Sequence, residues 1–319
     1  MIDLFDLLTR PERCHPQFTA LRDSQAHAGA RALINSTYNE MGDPNGRFVR
    51  DFQTHGFHGR LFELSCFRYL LAAGFAIDER HERPDFIASR DRRSVAIEVT
   101  TANPPSDTDP DISVMRMQEL TDEEVHARAE GTFPTRLMAS LKKKLRHRYH
   151  ELPQVAGKPI VLMIAPCFEP APGVYVDESL LPALYPLDPS GVGTTFFEWD
   201  GAEAISAVVY SNSFTVSKFW RLGAFDYLAN ECVALRQGMG LFEGERSVME
   251  FRHMIGHEAT PRETWSEGVT LYFNPFAQVP LPEDLLPASS KFVLQDDELV
   301  RKINGFHPLA SFMTVEPKS

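Results

Sequence analysis

Residues 83–101, RPDFIASRDRRSVAIEVTT, constrain the fold of this chain more than any other stretch. Apolar and polar residues alternate on both sides of a charged centre, the period of two that a pleated strand imposes. A hairpin turning at Asp91–Arg92 sets Arg90 opposite Arg93, so every opposed pair sums to 183. Phe86 and Ala88 then share a core face with Val95, Ile97 and Val99. Asp85, Ile87 and Ser89 share the other face with Ser94, Ala96, Glu98 and Thr100. This register opposes Asp85 and Glu98. Directly opposed side chains have Cβ atoms about 5 Å apart, and like charges there destabilise a sheet. A hard divalent cation is one reason to keep two carboxylates so close, since Mg²⁺ is commonly held by one or two carboxylates and water. Two plainer readings stand beside it. A turn one residue away separates the acids, and acids at strand ends also serve as solvated rim residues.

The preceding HGRLFELSCFRYLLAAGF reads as a helix over residues 58–73, stopped by Gly74. Glu63 has Cys66, Phe67 and Leu70 at i+3, i+4 and i+7, which puts it on an apolar stripe. A carboxylate there needs a partner. A metal shared with Asp85 and Glu98 is one candidate, and a nearby arginine is the other.

Around this unit, strands are expected near 75–79, 85–89 and 94–100, and GKPIVLMIAP reads as a buried strand. LTDEEVHARAEG has Thr121 and Glu124 in capping-box spacing and reads as a short helix. FPTRLMASLKKKLRHRYHELP reads as a longer helix, ANPPSDTDPDIS as a loop, and AISAVVYSNSFTVSKF and GVTLYFNP as further strands. Helix and strand alternate, so the expected class is α/β. The organisation read from turn clusters is a helical segment over 1–45, an α/β core over 46–217 and an extension over 218–319 packed on that core.

Composition narrows the partners. The chain has 319 residues and a formal net charge of −12. Nothing draws it to polyanions as a whole, so nucleic-acid binding would need a local basic patch. The four cysteines, Cys14, Cys66, Cys167 and Cys232, are scattered. That argues against a zinc site or disulfide frame and fits a reducing cytoplasm. His253 and His257 lack the intervening glutamate of zinc proteases. No apolar run approaches the ~18 residues of a membrane span, and the opening MIDLFDLLTRPERC lacks the basic start of a secretory signal. A cytoplasmic protein without a membrane partner is expected, with homo-oligomerisation left open.

A helix bearing a glutamate, a strand, Pro-Asp opening a second strand and Glu-x-x closing a third resemble the PD-(D/E)XK nuclease superfamily over roughly residues 56–101. Element order agrees to about 165. The resemblance implies a restriction-endonuclease-like mixed sheet flanked by helices, here with N-terminal helical and C-terminal extensions. It implies metal-dependent hydrolysis of phosphodiester bonds in nucleic acid, DNA before RNA. Asp85 and Glu98 would hold Mg²⁺ or Mn²⁺ with the Val99 carbonyl as a third ligand, and Glu63 would orient water or complete a second metal position. The departure is Thr100, which stands where the family has its catalytic lysine. A lysine from elsewhere is then needed. The helix RLMASLKKKLRHRY has an apolar stripe of Leu137, Met138, Leu141, Leu145 and Tyr149, flanked by Lys142 and Lys144. A flanking lysine can lay its stem on the core and reach a cleft, and Lys144 is favoured over Lys142. From Arg136 to Arg148 this helix has six lysines and arginines and no acid. Lys142, Arg146 and Arg148, together with Arg90, Arg92 and Arg93 at the hairpin tip, are the candidate phosphate-binding surface; a solvated basic face is the alternative. A nuclease-fold module that has lost catalysis, serving in binding or assembly, is the competing function.

Overall fold

The computed structural model describes residues 2–43, 46–78, 80–103, 121–167, 176–187, 194–227, 232–258, 260–296 and 298–317. In chain order its helices and strands are α1 (Pro16–Asp23), α2 (Ala28–Met41), α3 (Phe48–Gln53), α4 (Phe57–Ala72), β1 (Ala76–Asp78), β2 (Phe86–Arg90), β3 (Arg93–Ala102), α5 (Asp122–Glu130), α6 (Thr132–Leu145), β4 (Ile160–Pro166), α7 (Leu181–Leu184), β5 (Ala207–Tyr210), α8 (Val216–Tyr227), β6 (Cys232–Phe242), β7 (Met249–Ile255), β8 (Thr270–Phe273), β9 (Ser290–Gln295), β10 (Glu298–Ile303) and β11 (Phe306–Pro317). Eight strands form a mixed sheet in the order β1-β2-β3-β4-β5-β8-β9-β10, and β11-β6-β7 form a smaller antiparallel sheet. In the large sheet β3, β4 and β5 run parallel.

The β2–β3 hairpin has the expected register, with Phe86 opposite Ile97 and Arg90 opposite Arg93. Asp91 and Arg92 both have positive φ, 52° and 62°. That is the backbone of a two-residue turn whose twist matches the strands it joins. Phe86, Ala88, Val95, Ile97 and Val99 enter one apolar cluster with residues of α1 to α4 and α8. Ile87 and Ala96 enter a second cluster with α6, α7 and β4 residues. The sheet is therefore covered on both faces. β4 explains this layering locally. Its run Ile160–Pro166 is buried at every position, as a central parallel strand requires.

Helix α5 is capped as expected, since Thr121 Oγ1 accepts from the Glu124 N–H and Glu124 accepts from the Thr121 N–H. Two expectations are corrected. The C-terminal part is no mere extension, because β8, β9 and β10 complete the large sheet. The segment AISAVVYSNSFTVSKF is strand only over β5; from Val216 it is helix α8. The loop ANPPSDTDPDIS falls almost entirely outside the described residues. Among the described residues no helix is long and apolar enough to cross a membrane.

Candidate active site

Two helices from opposite faces of the sheet meet the open end of the β2–β3 hairpin. The first turns of α4 come from one face and the last turn of α6 from the other. Between them lies a cleft of ≈ 700 Å³, lined by Arg60 and Glu63 of α4, Arg83 and Asp85, Val99 and Thr100 of β3, and Lys143, Lys144 and His147.

Asp85 stands one residue before the first paired residue of β2. Its Oδ2 accepts the Val99 N–H at 2.6 Å. In a strand a residue's N–H and C=O leave on the same side, so the Val99 carbonyl also faces the Asp85 edge. Glu98 alternates onto the α6 face and is 5% exposed. There Lys144 donates to Glu98 Oε1. Helix α6 makes this contact because Phe133, Leu137, Met138 and Leu141 bury its apolar stripe, which leaves Lys144 at the stripe's edge with its stem on the sheet.

The second Glu98 oxygen, Oε2, is buried without a hydrogen-bond partner, and so is the Tyr149 hydroxyl. Burial, then the Glu98 charge and the phenol's approach to that carboxylate, push Tyr149 well above its usual range. Asp85 is raised to about 7, first by burial, then by the charges of Glu98 and Glu63; the Val99 hydrogen bond and Lys144 oppose the rise. Three acids thus feel one another here. Burial likewise raises Glu63, against its neighbour Arg60.

Glu63 is held by an arginine. Arg60 Nη1 donates to Glu63 Oε2 at 2.8 Å and Arg60 Nη2 to Asp51 at 2.8 Å. Among the described residues no group of three or more His, Cys, Asp or Glu side chains is arranged to hold a metal ion. The donors that remain for a cation are Asp85, the orphaned Glu98 oxygen and the Val99 carbonyl. This hard, all-oxygen set suits Mg²⁺ or Mn²⁺, which keep several waters, and does not suit zinc.

The candidate phosphate contacts divide. Arg90 is tied into the structure, donating to the Ala73 and Leu285 carbonyls at 2.7 and 2.8 Å and stacking over Phe75. Arg93 binds both carboxylate oxygens of Asp284 at 2.8 and 2.9 Å. Arg92 is exposed in the turn. That turn lies at the opposite end of the hairpin from the acids, about five residues or roughly 17 Å away, so none of the three arginines faces the cleft. Lys142 lies over the Trp199 ring, Arg148 pairs with Glu151, and Arg146 is exposed; none lines the cleft. The basic groups that do line it, besides Lys144, are Arg60, Arg83, Lys143 and His147. Arg83 Nη1 lies 3.1 Å from His147 Nδ1. Lys143 is exposed beside Lys144 on α6, and that exposure puts it on the rim. Arg83 directly precedes the Pro-Asp pair, a signal that could have been read.

Lys218 and Arg221 of α8 belong to a buried ion-pair cluster away from this cleft. Lys218 is fully buried, and Arg221 makes a two-point pair with Glu263 at 2.5 and 2.8 Å. Compared with known proteins, the chain matches no family model, no curated protein and no solved structure.

Proposed function

We propose that this cleft hydrolyses phosphodiester bonds of nucleic acid, DNA in the first instance, in a reaction that needs Mg²⁺ or Mn²⁺, and that the chain is a divergent restriction-endonuclease-like protein whose catalytic lysine has moved from position 100 to Lys144. One observation carries the reading. Lys144 meets Glu98 beside Asp85, at the mouth of a cleft rimmed by Arg60, Arg83, Lys143 and His147. The element order α4-β1-β2-β3-α5-α6-β4 supports the fold assignment.

Asp85, Glu98 and the Val99 carbonyl would hold the cation. Bound there, it would lower the pKa of a coordinated water and polarise the phosphoryl group. The chain's own groups do the rest. Asp85 is fixed against β3 by the Val99 N–H, which limits its rotation. The Lys144 ammonium has three donors and uses one on Glu98, so two remain to hold the attacking water or a phosphate oxygen. Its charge steadies the negative charge that grows on the phosphate. Thr100 lines the same cleft but brings no charge. Arg83 and Lys143 supply backbone attraction that is independent of sequence, which a chain of net charge −12 otherwise lacks.

The test is cleavage of end-labelled single- and double-stranded DNA and RNA, with Mg²⁺, Mn²⁺ or chelator, by the wild type and by Glu98→Gln. Metal-dependent cleavage lost in Glu98→Gln supports the reading. Binding without cleavage under every condition would leave a nuclease-fold module that has lost catalysis.

A further inference from the structure

A second cavity lies away from the cleft, outside the carboxyl ends of two neighbouring parallel strands. At the end of β4 it is lined by Ala165, Pro166 and Cys167, and past β5 by residues 211–217. The described parts of the connections that follow them, 176–187 and 194–205 after β4 and 211–227 after β5, lie on opposite faces of the sheet. The connection after β4 packs on one face of the sheet, through Leu180, Leu184, Phe196 and Phe197. The connection after β5 goes to the other face, where Phe214, Phe219 and Trp220 are buried. Adjacent parallel strands whose following segments go to opposite faces leave a crevice between them, and open α/β sheets bind ligands in such crevices.

Here the crevice is roofed. Leu21 of α1, Leu61 of α4 and Met313 of β11 help enclose ≈ 480 Å³, a volume in the range of small-molecule sites (about 300–1,000 Å³). The lining is chiefly apolar, and its polar groups present no free charge. Arg221 is its one lysine, arginine or carboxylate side chain among the described residues, and Glu263 neutralises it. His58 packs edge-on against His15 at 4.9 Å; burial and then the His15 charge lower it to about 4, so it is a neutral ring with one donor and one acceptor. Cys167 is held as the thiol, because burial raises it to about 12. Thr215 and Ser217 add hydroxyls.

We propose that this cavity is a binding site for an uncharged, mainly apolar small molecule bearing hydroxyl or carbonyl groups. Burial in the cavity favours the apolar body, and the imidazole and hydroxyls match uncharged polar groups. A carboxylate or phosphate would enter without an unpaired cation to meet it and is disfavoured. The site is separate from the cleft. His58 and Leu61 of α4 face the cavity, while Gly59, Arg60 and Glu63 of the same helix face the cleft.

The experiment titrates the full-length protein with Nile red, an uncharged solvatochromic dye, and follows emission. Saturable binding of one dye per chain is expected. Thr215→Phe and Ser217→Phe, each filling the cavity, should weaken it at least tenfold. Met254→Ser, on the exposed face of the smaller sheet, should leave it unchanged. Hydrogen exchange of the wild type, which needs no variant to fold, should show dye-dependent protection of residues 165–167 and 211–217. No saturable emission change, or binding that resists both filling variants and falls with Met254→Ser, overturns the proposal; so does dye without protection of those segments.

Discussion

Replacing Asp85 by asparagine should flatten the pH dependence of stability of the metal-free protein between about pH 4 and 8. Asp85 is raised to about 7 by burial and by the Glu98 and Glu63 charges. In the unfolded chain an aspartate titrates near 3.9. The folded value is the higher one, so the folded state keeps a proton that the unfolded chain releases. The stability this confers is complete below about pH 4 and is lost as pH rises through about 7. A difference of three pH units corresponds to about 4 kcal/mol at most. The interaction of Asp85 with its charged neighbours and residual access to water reduce the expected loss to about 2–3 kcal/mol. The carboxamide of Asp85→Asn has no charge to desolvate, and its oxygen can still accept the Val99 N–H. The assay is urea unfolding with chelator at several pH values from 4.5 to 8. Wild type should lose about 2–3 kcal/mol across that range relative to the variant, with equal denaturant slopes. Adding a divalent ion at ten times its dissociation constant should return about 1.4 kcal/mol to the wild type at pH 8, because it binds only the folded state, and little to the variant. Parallel pH curves for the two proteins would refute the placement of Asp85 against two other acids.

Lys144→Ala should reduce cleavage at least ~100-fold, the usual cost of removing a group that stabilises transition-state charge. Thr100→Lys added to that variant should restore part of the rate, because position 100 opens into the same cleft; a folded double variant with no recovery would sink the idea of a relocated lysine. Lys143→Ala and Arg83→Ala should each weaken binding to DNA of any sequence and lower the slope of log affinity against log salt by about one, measured by fluorescence anisotropy. Arg90→Ala should cost about 1–3 kcal/mol of stability, through the two carbonyls it leaves unbonded, and should leave DNA affinity unchanged. Lost affinity with full stability would return the hairpin tip to the nucleic-acid surface.

The amino-acid order alone determined the hairpin. A one-residue slip would turn every apolar side chain of β2 and β3 to the wrong face, so alternation was enough to set the pairing of Phe86 with Ile97. It determined the α5 cap and the apolar stripe of α6 for the same reason, since each depends on neighbours within a turn or two of chain. The stripe in turn put Lys144 where Glu98 could be reached. Tertiary structure decided what depends on distant partners. Whether Glu63 served a metal or an arginine could not be read from its stripe: Arg60 stands one turn earlier on the same helix, and the packing of α3 on α4 supplied Asp51 as the second anchor of that arginine. Arg90 and Arg93 looked like a basic tip until the chain near Asp284, about 190 residues on, closed over them. Short strands such as β8 carry no pattern that names their neighbours, so membership of the large sheet was settled by long-range pairing alone. The cavity is set the same way. It lies where the described segments that follow β4 and β5 pack on opposite faces, and periodicity records which residues are buried but not which face of the sheet buries them.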